Sequence, residues 1–520
     1  MSEKKIFARP ASGLIRAVSA WDALIYNVVF MAPTAVFAYG FFALSLFPGV
    51  DLPSTALISI PLAIIVGLFY ALYSASMPRS GGDYIWVSRV LHPAIGFMNN
   101  VVLFAILMSI AGSYMPWFTQ WGIAPILQYF GQASNAALVS SNMFTFGWAI
   151  LFWLICAAII SRGVKATHYA FWIFFILILV GIAAYVGTLL ATTPTQFATS
   201  FNAQSGMNYS DLIQKAQSSG VPSGFVTSAT LLGIAFTYLN FIGFNASVYY
   251  AGEIKEVRRS QFVAIIGAVL VFGFITWLLY EATYVGMGSQ FVGAVAYLAA
   301  IGDPSYTGSL PPLFHVLFQY ASNNPTAFFL AAFAFSMMCL SSSLTYLFIG
   351  VRFIFAWSFD RVVPTVLAKI DRRHNSPYMA LIAVTIVAIV LEALWSFTPL
   401  LSFFAYAVFG YMIMQALVAI SGIVFPWKRK DIFEVSPSVT KSKLGPVPVI
   451  SILGVFTLAI SIWLGYASIS PTFVGTLNSG VIAFTLGLFV IGIVIYAISS
   501  AYHRSKGIPL ELSFKELPPE

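Results

Sequence analysis

The chain has 520 residues, of which 59% are hydrophobic and only 8% charged, with a formal net charge of +8. A water-soluble globule of this length could not cover its surface with so few charges. The basic residues are strung along alternate connections between apolar stretches, so the positive balance does not point to nucleic acid.

A bilayer core roughly 30 Å thick takes about 20 apolar residues per helix. Twelve such stretches are predicted, over 20–46, 53–76, 93–120, 143–160, 168–190, 224–251, 261–284, 325–356, 378–397, 399–424, 446–468 and 477–500. Backbone inside lipid must satisfy its own hydrogen bonds, which makes these spans helices, and they lack the alternation of barrel strands. The expected fold class is therefore an all-α integral membrane protein with twelve transmembrane helices.

The opening segment 1–19, MSEKKIFARPASGLIRAVS, is too polar for a signal-peptide core and has no convincing cleavage site, so the first span is expected to stay. With this segment in the cytoplasm, every lysine and arginine but Lys215 falls on the cytoplasmic side. That asymmetry predicts an even number of spans in the cell membrane with both termini cytoplasmic. On the other side, Trp117, Trp121 and Trp395 sit near span ends, where aromatic rings commonly anchor at the interface.

Span 1, WDALIYNVVFMAPTAVFAYGFFALSLF, carries Pro33 near its middle. Proline has no amide proton and disfavours helix at the residue before it, so carbonyls around Val28, Val29 and Phe30 should be freed. Either this is a simple kink or the helix is discontinuous and its loose main-chain groups face a site; Asn27, one turn earlier, favours the second. The connection MPRSGGDYIWVSR (77–89) has a Gly81–Gly82 turn and charged Arg79, Asp83 and Arg89, which are expected to stay wet. Span 6, TSATLLGIAFTYLNFIGFNASVYYAGEI, concentrates Thr237, Tyr238, Asn240, Gly243 and Asn245 at its centre. Buried amides need partners, so these residues are either interhelical glue or a second break near 239–243.

Paired interruptions in two halves of a chain are a pointer to a transporter site. Spans 1 and 6 each open a group of five, and because five is odd the two groups must be inverted relative to each other. The ends of broken helices offer amides to a carboxylate and carbonyls to an ammonium or metal cation.

The connections at 191–223 and 285–324 are expected to be external and to carry short surface helices. In span 8 Ser341, Ser342 and Thr345 form a hydroxyl cluster. It either bonds back along its own helix or places Ser341 and Ser342 beside span 1 carbonyls as an all-oxygen sodium site. The charged segments 253–261 and 359–377 suit either gating or topological anchoring. Asp22, Glu281 and Glu392 are candidate proton carriers near span ends. Cys156 and Cys339 lie inside spans and are read as apolar packers. The five histidines are scattered and no metal, phosphate or dinucleotide motif is found, so neither an enzyme nor a resident cofactor is expected.

Three segments carry a resemblance: SASMPRSGGDYIWVSRVLHPAIGF (74–97), FTYLNFIGFNASVYYAGEIKEVRRS (236–260) and SSSLTYLFIGVRFIFAWSFDRVVP (341–364). They are similar to the amino acid–polyamine–organocation permeases. The resemblance implies a LeuT-like fold of two inverted five-helix repeats followed by two peripheral helices. The corresponding division is 20–190 and 224–424 for the repeats, 191–223 for an external connection, 425–500 for a cytoplasmic loop with the last two spans, and 501–520 for a cytoplasmic tail.

The implied activity is secondary active transport of an amino acid by alternating access. Carried over, the substrate would meet Val28, Val29, Phe30, Met31 and Ala32 on span 1, and Phe236, Tyr238, Leu239, Asn240 and Gly243 on span 6. Phe241 or Tyr238 would close over it. Some proton-coupled relatives use a lysine in helix 5; span 5 here has none after Lys165, which favours Na+, another H+ site or exchange. With no acid at midspan, a neutral or hydrophobic amino acid is the expected substrate and symport the expected mode. An exchanger is the alternative, with a channel or an amino acid sensor behind it.

Overall fold

The computed structural model describes residues 13–321, 324–371, 373–398, 407–469, 479–507 and 510–515. Among them twelve helices are long and apolar enough to cross a membrane. They are span 1 (Ala20–Leu46), span 2 (Leu52–Ser76), span 3 (Pro93–Tyr129), span 4 (Asn142–Ser161), span 5 (Val164–Leu190), span 6 (Thr227–Glu253), span 7 (Val257–Met287), span 8 (Pro325–Phe359), span 9 (Tyr378–Phe397), span 10 (Val408–Lys428), span 11 (Val449–Ile469) and span 12 (Ile482–Ser505). The expected starts of spans 10 and 12, at 399–406 and 477–478, lie outside the described residues, as do 1–12 of the N-terminal segment and 508–509 and 516–520 of the tail.

Burial separates the centre of the bundle from its rim. In spans 1 and 6, 83% of the most apolar window is buried inside the protein, against 33% in span 4 and 22% in span 12. The rim helices turn apolar side chains outward at helical spacing, Leu151, Leu154 and Ile155 on span 4 and Val490, Ile491, Val494 and Ile498 on span 12. An exposed apolar face of that kind is stable against lipid and costly against water. Inside, small residues let helices meet closely: Gly181 of span 5 faces the Leu330 carbonyl of span 8, and Gly454 of span 11 faces Ala419 and Ile423 of span 10. Both cysteines are buried and free.

Short elements cover the two ends. One end holds the helices Pro194–Ser205, Tyr209–Ser218, Ser289–Ala300 and Phe314–Leu317, in the two long connections expected to carry them. Lys215 there reaches Asp303 at 3.7 Å, tying one connection to the other. The other end, called the basic end below, holds the helix Asp83–Val90, the helix Lys430–Glu434, a small antiparallel ribbon of Lys443–Leu444 and Val447–Pro448, and the tight turn Leu510–Phe514.

Candidate functional site

Span 1 begins on a capping box in which the Ser19 hydroxyl accepts the Asp22 amide and the Asp22 carboxylate accepts the Ser19 amide, each at 3.1 Å. The first helical half ends at Phe30. Ala32 then lies in the left-handed region with φ 58°, and a new helix starts through the tight turn Pro33–Ala35. Such a conformation costs a residue other than glycine about 1–3 kcal/mol and persists only where surrounding structure enforces it. Here the enforcing feature is Pro33, which has no amide to give the Val29 carbonyl. The Ala32 amide takes that carbonyl instead, at 3.1 Å, so Val28 loses the donor four residues on. Span 1 is therefore discontinuous and not simply kinked.

Span 6 breaks in the same manner. Its first half ends at Phe241, Gly243 follows with φ 112°, and the chain continues as a tight turn over Ala246–Glu253. The amides of Ile242 and Phe244 bond three residues back, to Leu239 at 3.1 Å and Phe241 at 3.2 Å, which leaves the Tyr238 and Asn240 carbonyls without their usual donors. Glycine is needed at 243 twice over: the φ is hostile to side chains, and a Cβ would strike the Phe30 ring. The two breaks thus touch one another at Phe30 and Gly243.

Beside them is a narrow cavity with an open volume of about 20 Å³, little more than one water fills. Phe30 and Met31 of span 1 and Leu239, Asn240 and Ile242 of span 6 line one side of it. Opposite lie Ile106, Leu107, Ile110 and Tyr114 of span 3, with Tyr39 of span 1 and Tyr346 of span 8. The Phe30 and Tyr346 rings meet edge to face at 4.5 Å, and Tyr114 stacks on Tyr346 at 6.0 Å. Asn240 is 3% exposed, and its side-chain nitrogen has no hydrogen-bond partner.

Of the residues expected at a site, Phe30, Met31, Leu239 and Asn240 line this cavity, while Ala32 and Gly243 shape the breaks. The others have different placements. Asn27 gives its amide nitrogen to the Ser247 hydroxyl at 3.1 Å and the Ala264 carbonyl at 3.2 Å, and its oxygen accepts the Ser247 amide at 2.8 Å. Its polar groups therefore clamp span 1 to spans 6 and 7. Val28 is packed in the core. Phe241 packs on Phe272 at 5.0 Å, and Phe236 sits with Phe42 and Phe47, so these rings do not close over the cavity. Tyr238 is buried beside Phe241.

Ser342 donates to the Val29 carbonyl at 3.3 Å, the span 8 to span 1 link that a cation site would need, whereas Ser341 turns back to Met338 at 3.0 Å. The span 3 residues, Tyr39, Ile242 and Tyr346 were missed by sequence reasoning. Span 3 has no break near them, and a run of isoleucine and leucine carries no signal beyond apolarity.

Both routes out of the cavity are closed. On the side away from the basic end, Trp117 and Trp121 pack together at 4.9 Å and against Phe42. They sit, partly buried, where span 3 widens into broader turns over Trp117–Ile123. Trp395, also partly buried, donates to the Ser109 carbonyl at 2.9 Å.

At the basic end two ion pairs are sealed from water. Arg89 holds Asp360 through both guanidinium nitrogens at 2.7 and 2.9 Å, and Arg352 holds Glu253 at 2.9 and 3.1 Å while lying 3.6 Å over the Phe348 ring. The Ala17 and Val18 amides donate to the Glu253 carbonyl at 2.9 and 3.0 Å, joining the start of span 1 to the end of span 6. Asp83 and Arg89, expected to be wet, are buried. Arg89 is compensated by the opposite charge of Asp360, whereas Asp83 is held only by neutral donors, Tyr249 of span 6 and Asn100 of span 3.

Among the other expected proton carriers, Asp22 caps span 1 and accepts from Trp172 at 2.9 Å, and Glu281 is partly exposed. Glu392 is buried with one oxygen unpartnered and the other taking the Ser396 hydroxyl at 3.4 Å. Among the described residues no group of three or more histidine, cysteine, aspartate or glutamate side chains could hold a metal ion.

Comparison with known proteins agrees with this architecture. The family model described as amino acid permease matches residues 23–496. The branched-chain amino acid permease BcaP of Lactococcus lactis subsp. cremoris (strain MG1363) is 24% identical over 385 residues, covering 72% of this chain and 75% of that protein. Twelve membrane-length helices and a family match from one end of the bundle to the other lead to one conclusion: the chain belongs to the amino acid permease family, and it is a multi-pass membrane transporter of amino acids.

Proposed function

We propose that the protein is a symporter that carries a neutral amino acid with an apolar side chain through the cavity at the two breaks, driven by an ion gradient. The observation that carries the substrate class is the lining. Among the described residues it is aromatic and aliphatic, with the Asn240 amide and three tyrosine hydroxyls as its polar side-chain groups and no charged side chain. A charged substrate side chain would enter without a counter-charge, at a cost of several kcal/mol. The substrate's own charges would be met by main chain: carbonyls where the first halves of spans 1 and 6 end, and amides where their second halves begin. The relative named a branched-chain amino acid permease supports the same class.

In this reading the two five-span groups are the inverted repeats, the basic end faces the cytoplasm of the cell membrane, and alternating access works by opening one of the two closures at a time. Because the cavity is narrow, substrate entry must part the Phe30, Tyr114 and Tyr346 rings. Purified protein in detergent tests the substrate class. Leucine-like and other apolar amino acids should raise its thermal midpoint, and lysine and glutamate should not. Stabilisation by lysine or glutamate alone would overturn the assignment.

A further inference from the structure

Asp83 opens the short helix Asp83–Val90 and is 0% exposed. One carboxylate oxygen accepts the Tyr249 hydroxyl at 2.8 Å, and the other accepts the Asn100 side-chain nitrogen at 3.3 Å. Asn100 in turn accepts the Trp357 indole at 2.8 Å. One carboxyl group therefore joins the Asp83 helix to span 3, to the second half of span 6 and, through Asn100, to span 8.

Among the described residues it has no cation beside it. Arg89 on the same helix is committed to Asp360, and Arg352 is committed to Glu253. Among the described residues, the titratable groups facing Asp83 are tyrosines: Tyr249 of span 6, Tyr70 of span 2 and Tyr411 of span 10. A carboxylate buried without a counter-charge is costly, and taking up a proton removes that cost.

Asp83 is flanked by further buried hydroxyls. Tyr70 faces Asp83, Tyr411 and Tyr238, and its hydroxyl is buried with no hydrogen-bond partner. Tyr238 adjoins Leu239 and Asn240, which line the cavity. Buried hydroxyls in this number and this incompletely bonded are unusual in an apolar bundle. Tyr70 of span 2, Tyr238 of span 6 and Tyr411 of span 10 thus form a cluster of buried hydroxyls next to Asp83.

We propose that Asp83 is a proton-binding site of this permease: its carboxyl is neutral while the basic end is sealed and yields its proton to water when spans 6 and 8 part there. Opening breaks no covalent bond other than the carboxyl O–H, and the proton leaves on water. The sign follows from burial. Desolvation pushes the Asp83 carboxyl up to about 7 in the closed form, whereas a hydrated aspartate titrates near ~3.9. Between those values the closed form holds a proton that the open form releases. Falling pH therefore favours closure and rising pH favours opening, by up to about tenfold per pH unit within the window. Proton release and substrate release at the basic end become one event, which is what proton symport requires. This assignment rests on the symport reading above and names its ion.

The test uses the full chain in proteoliposomes, with labelled leucine as the probe. An inward proton gradient, an inward sodium gradient, and internal unlabelled leucine with no gradient are compared. Wild type should accumulate leucine under the proton gradient. In Asp83→Asn the ratio of proton-driven uptake to exchange should fall at least about tenfold, and Asp83→Glu should restore much of it. Tyr249→Phe removes a donor that favours the charged carboxylate, so the pH midpoint of transport should move upward; this variant decides the matter if Asp83→Asn does not fold. Proton-driven accumulation that survives in Asp83→Asn, or an unmoved midpoint in Tyr249→Phe, overturns the assignment while symport stands. Wild type driven by sodium alone also overturns it and keeps symport. Wild type driven by neither ion defeats both.

Discussion

Asn240 brings a buried amide nitrogen with no partner of its own to the cavity. A donor left unsatisfied in this way is stabilised by whatever acceptor a ligand supplies, and a substrate carboxylate is one. Asn240→Ala should therefore weaken binding by about 1 kcal/mol, raising the half-saturating leucine concentration roughly fivefold. Uptake kinetics at constant protein level measure it, and an unchanged value would remove the residue from the site. Sequence alone pointed to Asn240 because an amide in an apolar span demands an explanation. The same logic fails for Asn27, whose demand is met by Ser247 and Ala264. From the chain, a satisfied and an unsatisfied amide look alike. Asp83 fails in the opposite sense: in sequence it belongs to a charged loop, and only the fold brings Tyr249 and Asn100 onto it.

Helix breaks are the element that sequence predicts well. Pro33 and Gly243 act through local backbone chemistry, a missing amide and a tolerated positive φ, and local causes leave local signatures. Contacts between elements leave none. Tyr346 and the span 3 lining were invisible for that reason, as was the widening of span 3 at Trp117–Ile123. The hydroxyl cluster of span 8 is a mixed case. Ser341 and Thr345 bond to carbonyls of their own helix, at 3.0 and 2.6 Å, and only Ser342 reaches across to Val29. Packing is the use this geometry favours. Ser342→Ala should accordingly change any sodium dependence of uptake by no more than about twofold, less than a lost hydrogen bond to a bound ion would cost. A several-fold higher sodium requirement would restore Ser341 and Ser342 as a cation site.

At the scale of the whole molecule, apolar stretches and the charge asymmetry between connections foretold twelve spans, because a bilayer imposes both on every sequence that crosses it. How the basic end is closed was not legible, since the partners are distant in the chain: Arg89 with Asp360, and Arg352 with Glu253. A buried pair of this kind is severely damaged by losing one member. Arg89→Ala should destabilise the protein by about 3–5 kcal/mol, whereas replacing both partners with apolar residues, Arg89→Met with Asp360→Leu, should recover most of the loss. Thermal midpoints in detergent measure both variants, and equal damage in single and double variants would show that the pair contributes through something other than charge compensation.

The same closures, aromatic on one side and ionic on the other, enclose a cavity whose lining suits an apolar amino acid. The central claim is that an ion gradient drives such a substrate through it. Labelled leucine uptake into proteoliposomes under an inward proton gradient, with no unlabelled leucine inside, tests this most directly. The account predicts transient accumulation above the external concentration, abolished when the gradient is collapsed. Uptake that occurs only against internal leucine, and ignores both proton and sodium gradients, would contradict it and make the protein an exchanger.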